Sequence, residues 1–313
     1  MEQQHYSIVL YYCYTHMEDP EAFRATHHRY CLEHGLRGRI IIAKEGINGT
    51  VSGRTEVCEK YVRDLKADVT FAHIHFKITA HHQHAFQKLH IRVKREIVHA
   101  GLPHIHPQQQ TGAYIIPKAL QRMRKKEEVI LLDVRSNYEH RLGKFKGAVT
   151  LDIDHFRAFP DHVEALLPYK NKKIVTYCTG GVKCEKASAY LLEQGFETVY
   201  QLHGGIIQYG LDTDGEDFEG QCYVFDNRLT TKINKKNPIV VSNCHVCHTA
   251  CDRMVNCANS KCNLHVPICH PCAESLAGAC SSVCQQHPHK RPYNGTGYYT
   301  TTRNSYNPYQ DLR

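Results

Sequence analysis

The sequence predicts a three-part α/β chain: an α+β N-terminal domain, a parallel-sheet α/β domain and a small cysteine-rich module at the C-terminal side. Three observations carry that prediction. Over residues 1–105, apolar runs and amphipathic stretches alternate in the order β-α-β-β-α-β. Over residues 131–215, apolar runs are followed by polar turns and helix starts, the pattern of parallel strands with crossover helices. From Cys244 onward, cysteines crowd in short paired spacings. A chain of 313 residues has room for two or three such domains, each with its own core.

In the first domain, Tyr6–Tyr12 reads as a strand. Asp19 supplies an N-cap and Pro20 the first position of a helix that directs Phe23, Tyr30, Cys31 and Leu32 toward a core and ends near Gly35. Arg39–Ala43 is a second strand, and Gly46-Ile47-Asn48-Gly49 reads as the turn into a third at Thr50–Ser52, with Asn48 tolerating a left-handed backbone. A helix over Glu56–Lys66 leads to a strand at His75–Ile78. This order is that of a ferredoxin-like or acylphosphatase-like sandwich, a fold that hosts many functions. Alternation in His90-Ile91-Arg92-Val93-Lys94 places basic residues on one strand face, so Lys88, Arg92, Lys94 and Arg95 are candidate RNA-phosphate contacts; the alternative is an ordinary solvated face. His81, His82 and His84 read as exposed imidazoles in preference to a metal site.

Residues 106–130 read as a linker, entered through Pro103 and Pro107, followed by a basic helix from Pro117 carrying Arg122, Arg124, Lys125 and Lys126. That helix either grips RNA or, as favoured here, is an exposed helix end.

The parallel-sheet domain carries the chemistry. Strand Lys173–Tyr177 runs into Cys178-Thr179-Gly180-Gly181-Val182-Lys183-Cys184, and a helix is expected from about Glu185 to Gln194. Two glycines let backbone N–H groups converge beside a helix N-terminus, a cradle for negative charge. A cysteine at its entrance is expected to have a lowered pKa, with Lys183 favouring the thiolate. Cysteine phosphatases need an arginine six residues after the cysteine, where this chain has Cys184, and the basic residue Lys183 comes one position earlier. The plainer alternative makes Cys178 and Cys184 ordinary thiols flanking a glycine turn.

Two further motifs accompany the loop. Leu131-Leu132-Asp133-Val134-Arg135 precedes a polar turn, then Gly143 and Gly147-Ala148, and Val199–Leu202 ends in His203-Gly204-Gly205. Together with the shorter cysteine loop they resemble rhodanese-type sulfurtransferases, in which the cysteine carries a persulfide. That resemblance implies a buried ion pair between Asp133 and Arg135 that supports the loop.

The run Cys178-Thr179-Gly180-Gly181-Val182-Lys183-Cys184-Glu185-Lys186-Ala187-Ser188 is narrower still and resembles the tRNA uridine(34) hydroxylase family. Lys44–Gly53, Arg92–Val98 and Gly220–Arg228 are similar to that family as well, so the resemblance reaches to about residue 285. Lys183 departs from it, since arginine is commoner there; the charge is kept and the bidentate fork is lost. The resemblance implies oxygen-dependent hydroxylation of the tRNA wobble uridine at C5 to 5-hydroxyuridine, with molecular oxygen as co-substrate. Cys178 is then the nucleophile or the sulfur that carries an oxidising or persulfide group, and Cys184 a resolving thiol or a packing residue. The alternative is a sulfurtransferase passing persulfide sulfur to RNA or another acceptor; a third reading is a binding module without activity. No flavin or nicotinamide fingerprint and no iron facial triad is seen.

After a connecting segment, 216–243, which holds Cys222, residues 244–287 pair as Cys244/Cys247, Cys257/Cys262, Cys269/Cys272 and Cys280/Cys284. Four such pairs suit two structural zinc ions, joined either in a cross-brace or sequentially, with His245, His248, His265 or His270 as possible replacements. Disulfides, a reduced floppy segment or an iron–sulfur cluster, which the spacing does not single out, are the alternatives. Residues 288–313 lack apolar periodicity and read as a disordered tail. A net charge of +8 with 24 histidines suits a polyanionic partner without requiring one. With no leader-like start, no span and cysteines paired at metal spacings, a cytoplasmic, membrane-free protein is expected.

Overall fold

Strict alternation along Tyr6–Tyr14 sends Val9 and Tyr11 to one side and Leu10, Tyr12 and Tyr14 to the other, and the N-terminal fold is organised around that division. The computed structural model describes residues 5–297 and Tyr299. In chain order the first elements are β1 (Tyr6–Tyr14), α1 (Pro20–Glu33), β2 (Arg37–Ala43), β3 (Gly46–Arg54), α2 (Thr55–Ala67), β4 (His75–His81) and β5 (Leu89–Val93). The sheet order β4-β1-β3-β2-β5 is that of a ferredoxin-like sandwich with one extra edge strand, as the element order predicts. Both helices cover one face, where Val9, Tyr11, Ile40, Ile42, Val51 and Tyr61 form a core. The other face carries Leu10, Tyr12 and Lys77.

Three local expectations are corrected. Leu32 is 57 % exposed, because the buried stripe of α1 runs through His27 and Cys31. The β2–β3 hairpin turns at Lys44-Glu45, with Ala43 opposite Gly46, so Gly46–Gly49 is strand. Asn48 accordingly lies within β3, and its amide donates to the Ile97 carbonyl at 3.0 Å.

The parallel sheet is built from β6 (Ala113–Ile115), β7 (Ile130–Asp133), β9 (Val149–Thr150), β10 (Lys173–Tyr177) and β11 (Thr198–Leu202), in the order β6-β11-β10-β7-β9. β6 lies in the stretch read as a linker; its three residues are too few to show a period. With the sheet go α3 (Pro117–Lys126), α5 (Val182–Glu193) and α6 (Gly205–Thr213), and a helical turn α4 (Asn137–His140) follows β7 in the chain. Asp133 and Arg135 are fully buried and joined by a two-pronged pair, Nε–Oδ1 at 2.8 Å and Nη2–Oδ2 at 2.6 Å. Loss of one partner from such a pair leaves an uncompensated charge, at a cost of about 3–5 kcal/mol. The pair caps β7 beside β10, where the Val134 N–H meets the Tyr177 carbonyl.

The chain divides into two compact units. The first runs up to Asn137 and resumes over Gly147–Gly215, holding both sheets above; the second comprises Tyr138–Lys146 and the chain from Glu216 onward. The stretch read as one continuous core over 131–215 is therefore interrupted. In the second unit β8 (Gly143–Phe145), β12 (Phe218–Tyr223) and β13 (Thr230–Lys232) form an antiparallel sheet, followed by a β14 (Met254–Asn256) and β15 (His265–Pro267) hairpin and short helices α7 (His270–Ser275) and α8 (Ser282–Gln286). Residues 288–297, read as part of a disordered tail, are ordered. Arg291 donates to the Cys257 carbonyl at 2.7 Å and to the Ala258 carbonyl at 3.1 Å, and Lys290 bridges to Asn259. The rest of that tail, residue 298 and residues 300–313, lies outside the described residues. Among the described residues, no helix is long and apolar enough to cross a membrane.

Candidate active site

Helix α5 begins at Val182, three residues earlier than its sequence suggests, because Gly181 takes a φ of 103° and turns the chain directly into the first helical turn. The loop proper is thus Cys178-Thr179-Gly180-Gly181, with Lys183 and Cys184 on the first turn of the helix. Cys178 has 1 % exposure, and its sulfur accepts the Gly181 N–H at 3.1 Å. Burial by itself would raise the thiol's pKa. The Cys184 S–H, the Lys183 charge and the N–H groups of Lys183 and Gly181 outweigh it and bring Cys178 down to about 6. Cys184 goes the other way: its burial and the neighbouring Cys178 push it well up. Ionisation is thus favoured at Cys178 and disfavoured at Cys184, which keeps its S–H to donate.

The loop's outward carbonyls are held from below. Gly204 and Gly205, both with positive φ, open α6 so that the Ile206 N–H reaches the Cys178 carbonyl at 3.0 Å and the Ile207 N–H reaches that of Thr179 at 3.1 Å. A Cβ on Gly205 would lie 2.5 Å from the Cys178 carbonyl oxygen, so glycine is required there.

From above, the loop is covered by the open face of the N-terminal sheet. Leu10 packs on Gly180 and Tyr12 on Gly181, close enough that a Cβ on either glycine would fall 2.9 Å from those side chains. Tyr14 donates to the Val182 carbonyl at 3.3 Å, and Lys77 donates from Nζ to the Gly180 carbonyl at 3.0 Å. Glu185, buried on α5, accepts from Tyr12 at 2.8 Å, Tyr114 at 2.7 Å, Gln201 at 3.0 Å and Thr111 at 3.2 Å. Burial first, and the Glu185 charge second, push the Tyr12 hydroxyl far above its usual range, so it stays a donor. The next residue, Lys186, is also buried, paired with Glu45 at 2.8 Å and Glu96 at 3.6 Å, and donates to the carbonyls of Leu102 and Ile105. The turn at Lys44-Glu45 therefore borders the cysteine loop through α5.

Tyr12, Lys77, Tyr114 and Gln201 were not singled out by the sequence. A lone lysine on an otherwise half-buried strand was the available signal for Lys77. Of the candidate RNA contacts, Lys88, Arg92, Lys94 and Arg95 are all exposed on or beside β5. Register places Arg92 opposite Ile41, Ile41 opposite Asn48 and Asn48 opposite Tyr12, so Arg92 and Tyr12 share one sheet face. Arg39 lies on the same face, one strand nearer the loop, beside His90.

In the second unit the sulfurs of Cys244, Cys247, Cys269 and Cys272 gather within 4.8 Å of one another, as do those of Cys257, Cys262, Cys280 and Cys284. This is the cross-brace arrangement. Among the described residues no histidine joins either set, and His265 instead meets the Tyr223 hydroxyl at 2.7 Å. Cys247–Cys269, Cys262–Cys280 and Cys280–Cys284 are 3.6, 3.8 and 3.7 Å apart. A tetrahedron of thiolates about 2.3 Å from a zinc ion has edges of about 3.8 Å. Cys222 is buried in β12, outside both sets.

Three family models match: a UPF0176 acylphosphatase-like domain over residues 6–97, a rhodanese-like domain over 116–211 and a rhodanase C-terminal domain over 219–285. Among curated proteins, one from Cytophaga hutchinsonii is 58 % identical over 98 % of this chain and 99 % of its own length. One from Bacillus cytotoxicus is 44 % identical over 91 % of this chain and 90 % of its own. Both are named tRNA uridine(34) hydroxylase. A solved rhodanese-like domain from an Anabaena species is 25 % identical, with a TM-score of 0.30, covering 34 % of this chain and 78 % of its own.

The geometry predicts that alkylation of Cys178 by iodoacetamide, followed by mass spectrometry of its peptide, rises with pH through a midpoint near 6. Cys184→Ala removes the S–H donor and moves the midpoint upward. A wild-type midpoint near 9, that of an ordinary thiol, would contradict the electrostatic reading.

Proposed function

We propose, from the premise that this chain belongs to the tRNA uridine(34) hydroxylase family, that it hydroxylates the wobble uridine of tRNA at C5, with Cys178 as the reactive sulfur and molecular oxygen as co-substrate, one oxygen atom going to C5 and the other leaving as water with two electrons and two protons from a thiol reductant. The observation that carries the assignment of Cys178 is the geometry around its buried sulfur, which accepts the Gly181 N–H at 3.1 Å in a glycine turn that opens directly into α5. Against burial, the Cys184 S–H, the Lys183 charge and that N–H favour the thiolate and draw its pKa down to about 6. Thr179, Gly180, Gly181 and Val182 form the cradle, Lys183 supplies charge from the first turn of α5, and Cys184 donates its S–H to the anion. Asp133 and Arg135 fix the neighbouring strand end.

The tRNA backbone is proposed to run over β2 and β5. Three strand spacings separate Arg92 from Tyr12, about 14 Å, within which Arg39 and His90 also lie on the common face. Phosphates held by Lys88, Arg92, Lys94 and Arg95 would lie two or three nucleotides from the loop, a span that suits one base reaching it while its neighbours stay on the sheet. The two four-thiolate clusters are proposed to hold structural zinc ions; their sulfur spacings match a tetrahedral site, and so short a segment has little apolar core of its own.

Two outcomes follow. In a strain lacking this gene, tRNA nucleosides analysed by mass spectrometry should contain 5-hydroxyuridine after complementation with the wild type and none after complementation with Cys178→Ser. Loss of a thiolated base instead would make the chain a sulfurtransferase, and full rescue by the serine variant would remove Cys178 from the chemistry. Metal analysis of protein purified under reducing conditions should return two zinc ions per chain and one for Cys247→Ser; no zinc would overturn the cross-brace assignment.

A further inference from the structure

Lys77 is a lysine with 1 % exposure, and among the described residues no carboxylate lies within ion-pair distance of its ammonium. Its polar contacts are the Gly180 carbonyl at 3.0 Å and the ring face of Tyr12 at 4.9 Å. Burying an ammonium without an anion is costly, so a fold that keeps one needs an opposing charge. The loop it holds carries the Cys178 sulfur two residues before Gly180, and that sulfur accepts the Gly181 N–H at 3.1 Å. We propose that Lys77, carried by the N-terminal sheet, is the counter-ion of the Cys178 thiolate and a positioning residue of its loop. The inference rests on the reading of Cys178 as the reactive sulfur, and it makes that sulfur's state depend on a second domain.

The surroundings support the pairing. Lys77 sits opposite Leu10 in the β1–β4 register, and Leu10 is the side chain pressed on Gly180. Its bond to the Gly180 carbonyl holds the same peptide group whose Gly181 N–H is donated to the Cys178 sulfur. Burial lowers the ammonium to about 8, and Cys178, ahead of Glu185, is the charge that holds it up. Facing the pair from β1 are Tyr12 and Tyr14, both kept neutral by burial, and from α5 Lys183, Cys184 and Glu185. His75 on β4 and His203 after β11 also face Lys77; burial first, and its charge among the lesser causes, lower both imidazoles. Glu185 is the second anion near Lys77, and its carboxylate oxygens are taken up by Tyr12, Tyr114 and Gln201, with Thr111 also on one of them. Thiolate and ammonium coexist between about pH 6 and about pH 8.

The test uses the full chain with Lys77→Met, which is neutral and of similar length, and Lys77→Gln, which is neutral and still able to donate to Gly180. Alkylation of Cys178 is followed across pH, together with the melting temperature. With the charge acting on sulfur, both variants raise the alkylation midpoint by about one unit, while Lys77→Met melts no lower than the wild type because a buried ammonium has been replaced by a thioether. An unchanged midpoint in both variants overturns the proposal. So does a shift in Lys77→Met alone, which would make Lys77 a prop for the Gly180 carbonyl and nothing more. Formation of 5-hydroxyuridine by Cys178→Ser would instead remove the reading on which the proposal rests, and is scored separately on tRNA nucleosides.

Discussion

A sulfur with 1 % exposure has lost its water, so the thiolate form of Cys178 depends on the groups around it to replace that hydration. The Gly181 N–H, the Cys184 S–H and the Lys183 charge come from the loop and from α5. Geometry for those donors comes from elsewhere: Gly204 and Gly205 bring the first turn of α6 under the loop carbonyls, and the Asp133–Arg135 pair fixes the end of the adjacent strand. A helix N-terminus and a glycine turn are common; the rest of the first unit is arranged so that this one stabilises a thiolate.

The second consequence concerns the N-terminal domain. A sandwich of this class needs helices on one sheet face only, and the other face must be covered or solvated. Here the β1 and β4 side of that face lies on the cysteine loop through Leu10, Tyr12, Tyr14 and Lys77, while the β2 and β5 side is exposed and basic. Under the proposed function, one sheet face therefore closes over the reactive sulfur and presents cations to the tRNA that carries the target base. Glu185 ties the arrangement together, because its carboxylate binds Tyr12 from the N-terminal sheet and Tyr114, Thr111 and Gln201 from the parallel-sheet side.

Much of this was legible in the residues. Strand Lys173–Tyr177 lies where its apolar run placed it, the element order matched the sandwich topology, and the aspartyl cap and first-turn proline of α1 stand as read, with Asp19 accepting from the N–H groups of Glu21 and Ala22. The start of α5 was missed because Gly-Gly reads as a loop unless the left-handed φ of Gly181 is known, and the Lys44-Glu45 turn was missed because Gly and Asn inside β3 mimic turn chemistry. β6 is too short to show a period. Lys77 and Tyr12 lie a hundred residues or more from the loop they touch, and no local pattern encodes that contact. The cross-brace was one of two pairings the spacing allowed, and only the positions of the sulfurs select it.

The account stands most directly on the pH dependence of the modification itself. With purified chain, unmodified tRNA, air-saturated buffer and a thiol reductant to carry the second oxygen atom to water, the second-order rate of 5-hydroxyuridine formation should climb through a midpoint near pH 6 and level off by neutrality, following the thiolate form of Cys178. A rate that is flat through this range, or that rises only toward the 9.0 of an unperturbed thiol, would show that the buried anion at the sheet–loop contact is not what drives the reaction.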